Sequence, residues 1–180
     1  GKAALNAHYK RIGWNARAQE GAVDGWYQTK FTLKEEPLVS ILIPNKDHTD
    51  DLDTCIRSIL EKSTWKNLEI VVIENNSEKK ETFDYYKKLT QRYDQVKVVT
   101  YQGGFNYSAI NNFGAKEATG EYFLLLNNDT EVISPDWLDR MLGYCQREDV
   151  GIVGAKLYYP DDIVQHAGVV IGMGGFAGHI

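Results

Sequence analysis

From Pro37 onward the sequence alternates short apolar runs with amphipathic stretches, and this alternation constrains the fold more than any other feature. Residues 38–43 (LVSILI), 68–73 (LEIVVI), 96–101, 121–126 (EYFLLL) and 150–153 are compact, with the β-branched or aromatic content of buried strands. Within residues 50–62, Leu52, Cys55, Ile56, Ile59 and Leu60 follow the i, i+3, i+4, i+7, i+8 spacing of one helix face. Ser77 is placed to N-cap a second helix carrying Phe83, Tyr86, Leu89 and Tyr93; a third covers 107–118 and ends at Gly120. Ser134-Pro135 is expected to open a fourth helix that buries Trp137, Leu138, Met141, Leu142 and Cys145. Strands and helices alternating at this spacing build right-handed βαβ units. The fold class is therefore α/β, a mostly parallel sheet with helices on both faces.

Residues 1–36 lack this rhythm and are expected to form an N-terminal extension: a short helix around 4–12, turn residues, then an alternating strand at 26–33. Trp14 and Trp26 in this extension call for burial. Residues 37–180 carry the main domain. Composition fits one soluble domain, with 43% hydrophobic residues in 180. With 20 basic against 25 acidic residues, a net of −5, the chain offers no broad basic face, so nucleic acid is excluded as a partner. Cys55 and Cys145 are too few for a disulfide framework, which points to a reducing, cytoplasmic setting. The apolar stretch 167–178 holds five glycines and is too short to span a membrane. The chain opens on Gly1 and stops at Ile180, two residues past that stretch, so both ends are expected to be cut. Attachment to the inner face of a membrane would then come through regions outside the chain.

Ligands of open parallel sheets sit beyond the carboxyl ends of the strands. Those ends carry Pro44-Asn45-Lys46-Asp47, Glu74-Asn75-Asn76-Ser77, Gln102-Gly103-Gly104-Phe105-Asn106 and Asn127-Asn128-Asp129-Thr130-Glu131. One such loop is explained by helix capping. Four clusters exceed what capping needs, and Asp129 is spare because Ser134-Pro135 already starts the following helix. A carboxylate there suits Mg2+ or Mn2+, hard ions that take one or two protein carboxylates together with phosphate oxygens. An acidic protein could thus hold a diphosphate through a bridging ion. Residues 172–177 match G-x-G-x-x-A but lack a following helix, and no G-x-x-x-x-G-K-[ST] loop exists, so neither dinucleotide nor P-loop chemistry is expected. His166 is a satisfied polar residue or a ligand contact, and Asp161 and Asp162 are expected in a turn.

The blocks VSILIPNKD, EIVVIENNS, GGFNYSAINNFGAKEATGEYFLLLNNDTEV and PDWLDRM, in this order, resemble the family 2 glycosyltransferases, which have a GT-A (Rossmann-like) fold. The resemblance runs from about Pro37 to Ile180, and GIVGAKLYYPDDIVQHAGVVIG is similar to bacterial members that build surface polysaccharides. It implies that Asp129 binds the divalent metal and that Asn128 faces the ribose. Glu74 would pair with the base, and Asn45, Asp47 and Asn111 would line the nucleotide pocket. Asn127 and Asn128 stand where the family's D-x-D signature begins, so metal affinity should be weaker than usual.

The reaction implied is inverting transfer of a sugar from a UDP- or dTDP-sugar to a hydroxyl of a glycan or lipid-linked acceptor. A general base would take the acceptor proton while the metal stabilises the leaving diphosphate. The resemblance places that base on a later segment, so the catalytic residue is unassigned and the chain is expected to be the donor-binding portion of a C-terminally truncated domain. The alternative is a nucleotide-sugar-binding module without turnover. A nucleotidyltransferase ranks lower, because IPNKDH lacks a Gly-rich basic loop.

Overall fold

The computed structural model describes Gly1–His179. The elements in order are α1 (Lys2–Arg11), β1 (Ala16–Glu20), β2 (Tyr27–Phe31), β3 (Val39–Asn45), α2 (Thr49–Lys62), β4 (Leu68–Glu74), α3 (Lys80–Arg92), β5 (Val96–Thr100), α4 (Tyr107–Glu117), β6 (Tyr122–Leu125), α5 (Trp137–Cys145), and the short strands β7 (Leu157–Tyr158), β8 (Val164–His166), β9 (Val169–Ile171) and β10 (Ala177–His179). They divide into two compact units, Lys34–Leu138 and the combination of Gly1–Leu33 with residues from Asp139 onward.

The Lys34–Leu138 unit is built on a four-stranded sheet of order β5-β4-β3-β6, parallel throughout. The central strands β3 and β4 are near-continuous runs of Ile, Leu and Val, as a strand covered on both faces requires. Leu42, Val71 and Ile73 bury one face against Ile110 of α4, with Phe113 and Tyr101 at its margin. Ile41, Ile43, Ile70 and Val72 alternate to the other face and are fully buried, as are Leu52, Cys55, Ile56 and Ile59 of α2. Gly114 lets α4 lie close on the sheet; a Cβ there would meet Ile73 Cδ1 at 2.3 Å.

The amino ends of the strands are tied by one carboxylate. Glu69 pairs in register with Ser40 and accepts its hydroxyl at 2.6 Å, Thr119 N–H at 2.6 Å and Thr119 Oγ1 at 2.9 Å, with Lys97 Nζ 3.0 Å away. Burial opposes its ionisation, yet the Ser40, Thr119 and Lys97 contacts hold its pKa down to about 2 from 4.5. A depressed carboxyl stabilises the fold above its unfolded pKa, and that contribution disappears as pH falls through the folded value. Glu69→Gln is therefore expected to lower stability at pH 7 by roughly 1–2 kcal/mol. Denaturant titrations should show the gap to wild type closing between about pH 4.5 and 2, and a pH-independent gap would refute this role.

Several expectations need correction. Ser77 does not cap α3, which begins at Lys80 without a side-chain cap of its own. Gly120 does not end α4 by a left-handed turn; the helix closes at Ala118 in extended conformation, and Gly120 instead permits close approach to β3. The helix after Ser134-Pro135 starts only at Trp137, behind a turn in which Trp137 N–H donates to Ser134 O, and Trp137, Met141 and Cys145 are half-buried rather than buried. Residues 150–153 form no strand, and Ile152 is 91% exposed. A strand needs a pairing edge as well as apolar side chains, and none meets this segment among the described residues.

In the other unit, α1 packs on the β1–β2 hairpin, whose first strand the sequence did not suggest. Trp14 is half-buried, stacked on Tyr9, tilted against Phe31 and covered by the Arg147 guanidinium 4.1 Å from its ring centroid. Trp26, expected to be buried, is 70% exposed. Asp161 and Asp162 do lie in a turn, and residues 172–175 form the turn of the antiparallel β9–β10 hairpin, so a strand follows these glycines directly. His166 Nδ1 lies 3.0 Å from His179 Nδ1.

Candidate functional site

Equal lengths of β3 and β4, paired in register from end to end, bring their last residues level: Asn45 pairs with Glu74, and Glu74 with Thr100 of β5. The chain runs outward through β3, β4 and β5, then returns to β6 on the far side of β3. The switch point therefore lies beyond the ends of β3 and β6, where crevices form in open α/β sheets. Asn128, just after β6, spans it by donating Nδ2 to Asn45 Oδ1 at 2.6 Å.

Behind this contact lies a buried polar chain. Asn45 Nδ2 donates to Tyr86 OH at 2.8 Å, and Tyr86 OH donates to Glu74 Oε2 at 2.7 Å. Glu74, only 2% exposed, also accepts Ser77 N–H on Oε1 at 2.6 Å and the Ser77 hydroxyl on Oε2. Burial first, then the Glu74 carboxylate, pushes the Tyr86 hydroxyl pKa up, which keeps its proton in place. Each member has its hydrogen-bond partners, so the network rigidifies the strand ends rather than weakening them.

Asp47 sits at φ 59°, with its N–H donating to Ser77 Oγ at 3.1 Å. Its carboxylate accepts from Glu78 N–H, Lys79 N–H and Thr82 Oγ1 at 3.0–3.1 Å, thereby bracing the entry to α3 from the neighbouring strand end. Burial opposes ionisation, but these donors lower its pKa overall. Asp47 thus braces the residues that lead into α3, and Ser77 is committed to Glu74.

The Asn127–Thr130 turn is anchored from below. Cys55 Sγ donates to Asn127 O at 3.8 Å, Thr130 Oγ1 donates to the same carbonyl at 2.9 Å, and sulfur and hydroxyl are 3.5 Å apart. Burial, reinforced by the negative charge of Asp129, pushes the Cys55 thiol up, which leaves it an inert anchor. Asp129 itself is exposed and has no hydrogen-bond or ion-pair partner among the described residues. Among those residues no group of three or more His, Cys, Asp or Glu is arranged to hold a metal ion.

Asn111 is 3% exposed on α4; its Nδ2 donates to Tyr107 O, and its Oδ1 is buried without a partner. The structure thus joins Asn45, Glu74 and Asn128 in one network and links Asp47 to it through Ser77. Asp129 follows Asn128 on the same turn, whereas no hydrogen bond ties Asn111 to the network among the described residues. Tyr86 and Cys55 were missed, being read as apolar helix positions. The available signal was chemical: a buried tyrosine needs a partner for its hydroxyl.

This arrangement is that of the GT-A glycosyltransferase fold. A mannosyltransferase from Pyrobaculum calidifontis, solved in complex with GDP-Man and Mn2+, is similar at TM-score 0.63 and 16% identity, over 89% of this chain and 45% of that one. TarS residues 1–349 from S. aureus are similar at TM-score 0.51 and 20% identity, over 59% and 32% of the two chains. The model of glycosyl transferase family 2 matches residues 40–172, and the chain belongs to that family. The O-antigen biosynthesis protein RfbC of Myxococcus xanthus is 42% identical over 179 residues, and protein y4gI of Sinorhizobium fredii is 42% identical over 180. Each alignment covers 99% of this chain, which spans only 14% and 20% of those relatives' own lengths.

Proposed function

We propose that the chain is the donor-binding portion of a glycosyltransferase that moves a sugar from a nucleoside diphosphate to an acceptor hydroxyl, with inversion, in cytoplasmic synthesis of an O-antigen-type polysaccharide. Family membership supports the class, and the name of the Myxococcus relative supports the polysaccharide. The observation that carries the reading is an exposed, unpartnered carboxylate, Asp129, on an anchored turn at the switch point.

A single carboxylate fits a hard divalent ion that arrives with its diphosphate, since such ions take few protein ligands and complete their shell with phosphate and water oxygens. Asp129 would hold it. When bound, the ion supplies positive charge to the departing diphosphate. The chain's own residues do the rest: Asn128 faces the ribose, Asn45 and Glu74 brace it from below, and Asp47 fixes the start of α3.

One observation favours the second reading, a binding module. The other carboxylates in these loops are engaged: Asp47 and Glu74 as above, Glu78 with Lys46 and Glu131 with Lys62. No free base remains there once Asp129 is committed to an ion. Thermal unfolding with UDP, dTDP, GDP and ADP in Mn2+ tests donor binding. UDP or dTDP at about 100 times its Kd should raise Tm by roughly 5–10 °C. A larger shift with GDP would correct the nucleotide, and no shift with any of the four would overturn the proposal. Sugar transfer or donor hydrolysis by residues 1–180 alone would refute the binding module.

A further inference from the structure

The hydrogen-bond chain from Glu74 to Asn128 has only one possible polarity. A carboxylate accepts and never donates, so Tyr86 commits its single hydroxyl proton to Glu74 Oε2. The Tyr86 oxygen then offers only lone pairs, and Asn45 must turn its NH2 group toward it. Asn45 Oδ1 is thereby directed to the switch point, where only a donor satisfies it, and Asn128 supplies Nδ2. Asn128 Oδ1 is left facing away from the network. It has no protein partner among the described residues and, unlike Asn111 Oδ1, is not sealed from solvent.

We propose that Tyr86 is a positioning residue that, through Asn45, locks the Asn128 amide with its carbonyl oxygen toward the ligand, making it a dedicated acceptor for a ribose hydroxyl. This rests on the donor-binding reading above. A free amide at position 128 could present either end to the ligand, at the cost of a flip. A locked one discriminates, because a hydroxyl can donate to the oxygen at once, whereas an analogue lacking that hydroxyl leaves the acceptor unfilled. Neither Tyr86 nor Asn45 need touch the ligand for this effect.

The test compares binding of UDP with 2′-deoxy-UDP and 3′-deoxy-UDP in Mn2+. Wild type should bind one deoxy analogue about tenfold more weakly than UDP, the scale of one lost hydrogen bond. Tyr86→Phe keeps the ring and removes the relay, so the discrimination should fall to within about twofold. Glu74→Gln keeps the shape but lets a donor face Tyr86, which permits the chain to run in reverse, and discrimination should again collapse. A merely structural role would weaken all three nucleotides equally. If Tyr86→Phe does not fold, as judged by its unfolding transition, the Glu74→Gln result decides. Retained discrimination in the folded variant, or none in a wild type that binds UDP, overturns the relay. A wild type that binds no nucleoside diphosphate overturns the donor-binding reading instead.

Discussion

Alanine at position 129 is expected to abolish the Mn2+-dependent part of nucleoside diphosphate binding while leaving the ligand-free Tm within about 2 °C of wild type. The two halves of this result have separate causes. Asp129 is exposed and its carboxylate has no hydrogen-bond or ion-pair partner among the described residues, so the fold loses little when it is cut back. The engaged carboxylates nearby, Asp47 and Glu74, cannot replace it without freeing the entry to α3 or breaking the Tyr86 network. A metal bridge contributes several kcal/mol to holding a diphosphate, so affinity in Mn2+ should fall on the order of 100-fold. Titration calorimetry checks this, and an unchanged affinity would remove Asp129 from the metal site.

Gly120→Ala should produce the largest loss of stability. A Cβ at this position would lie 2.5 Å from Ser40 Oγ, 2.6 Å from Leu38 O and 2.8 Å from Ser40 N. Two of these atoms are backbone at the start of the central strand, and Glu121 N–H donates to that same Leu38 carbonyl at 2.9 Å. Gly120 N–H also donates to Ser40 Oγ at 2.8 Å, so any shift disturbs the Glu69 cluster. We expect a cost of about 2–3 kcal/mol, or a Tm drop of roughly 5–10 °C. Gly104→Ala is the matched control, since nothing lies within 4 Å of a Cβ there, and it should be neutral or slightly stabilising. Equal effects in the two variants would show that lost glycine flexibility, not the clash, governs position 120.

The parallel sheet was readable in the sequence because its strands are buried on both faces. Runs such as LVSILI and LEIVVI leave little alternative, and their equal lengths bring Asn45 level with Glu74. β1 was not readable: Ala16–Glu20 (ARAQE) has no β-branched or aromatic residue and is a strand only by pairing with β2. Residues 150–153 fail in the opposite sense, having strand chemistry without a partner edge. At the site, the strand-end clusters marked the right edge of the sheet. Their internal division of labour was hidden because it is non-local. Asp47 braces the entry to a helix that begins 33 positions later, at Lys80, and Tyr86 reaches back to Glu74 and Asn45. Local capping rules consider only residues adjacent to the helix, so they assigned Ser77 to a cap and missed its tie to Glu74.

The most direct measurement is calorimetric titration of UDP and dTDP into wild-type protein, once with Mn2+ and once with EDTA. Binding in Mn2+ that weakens at least tenfold in EDTA is the expected result. Absence of binding in both buffers, or equal binding in both, would contradict a nucleoside diphosphate held through a metal ion at Asp129.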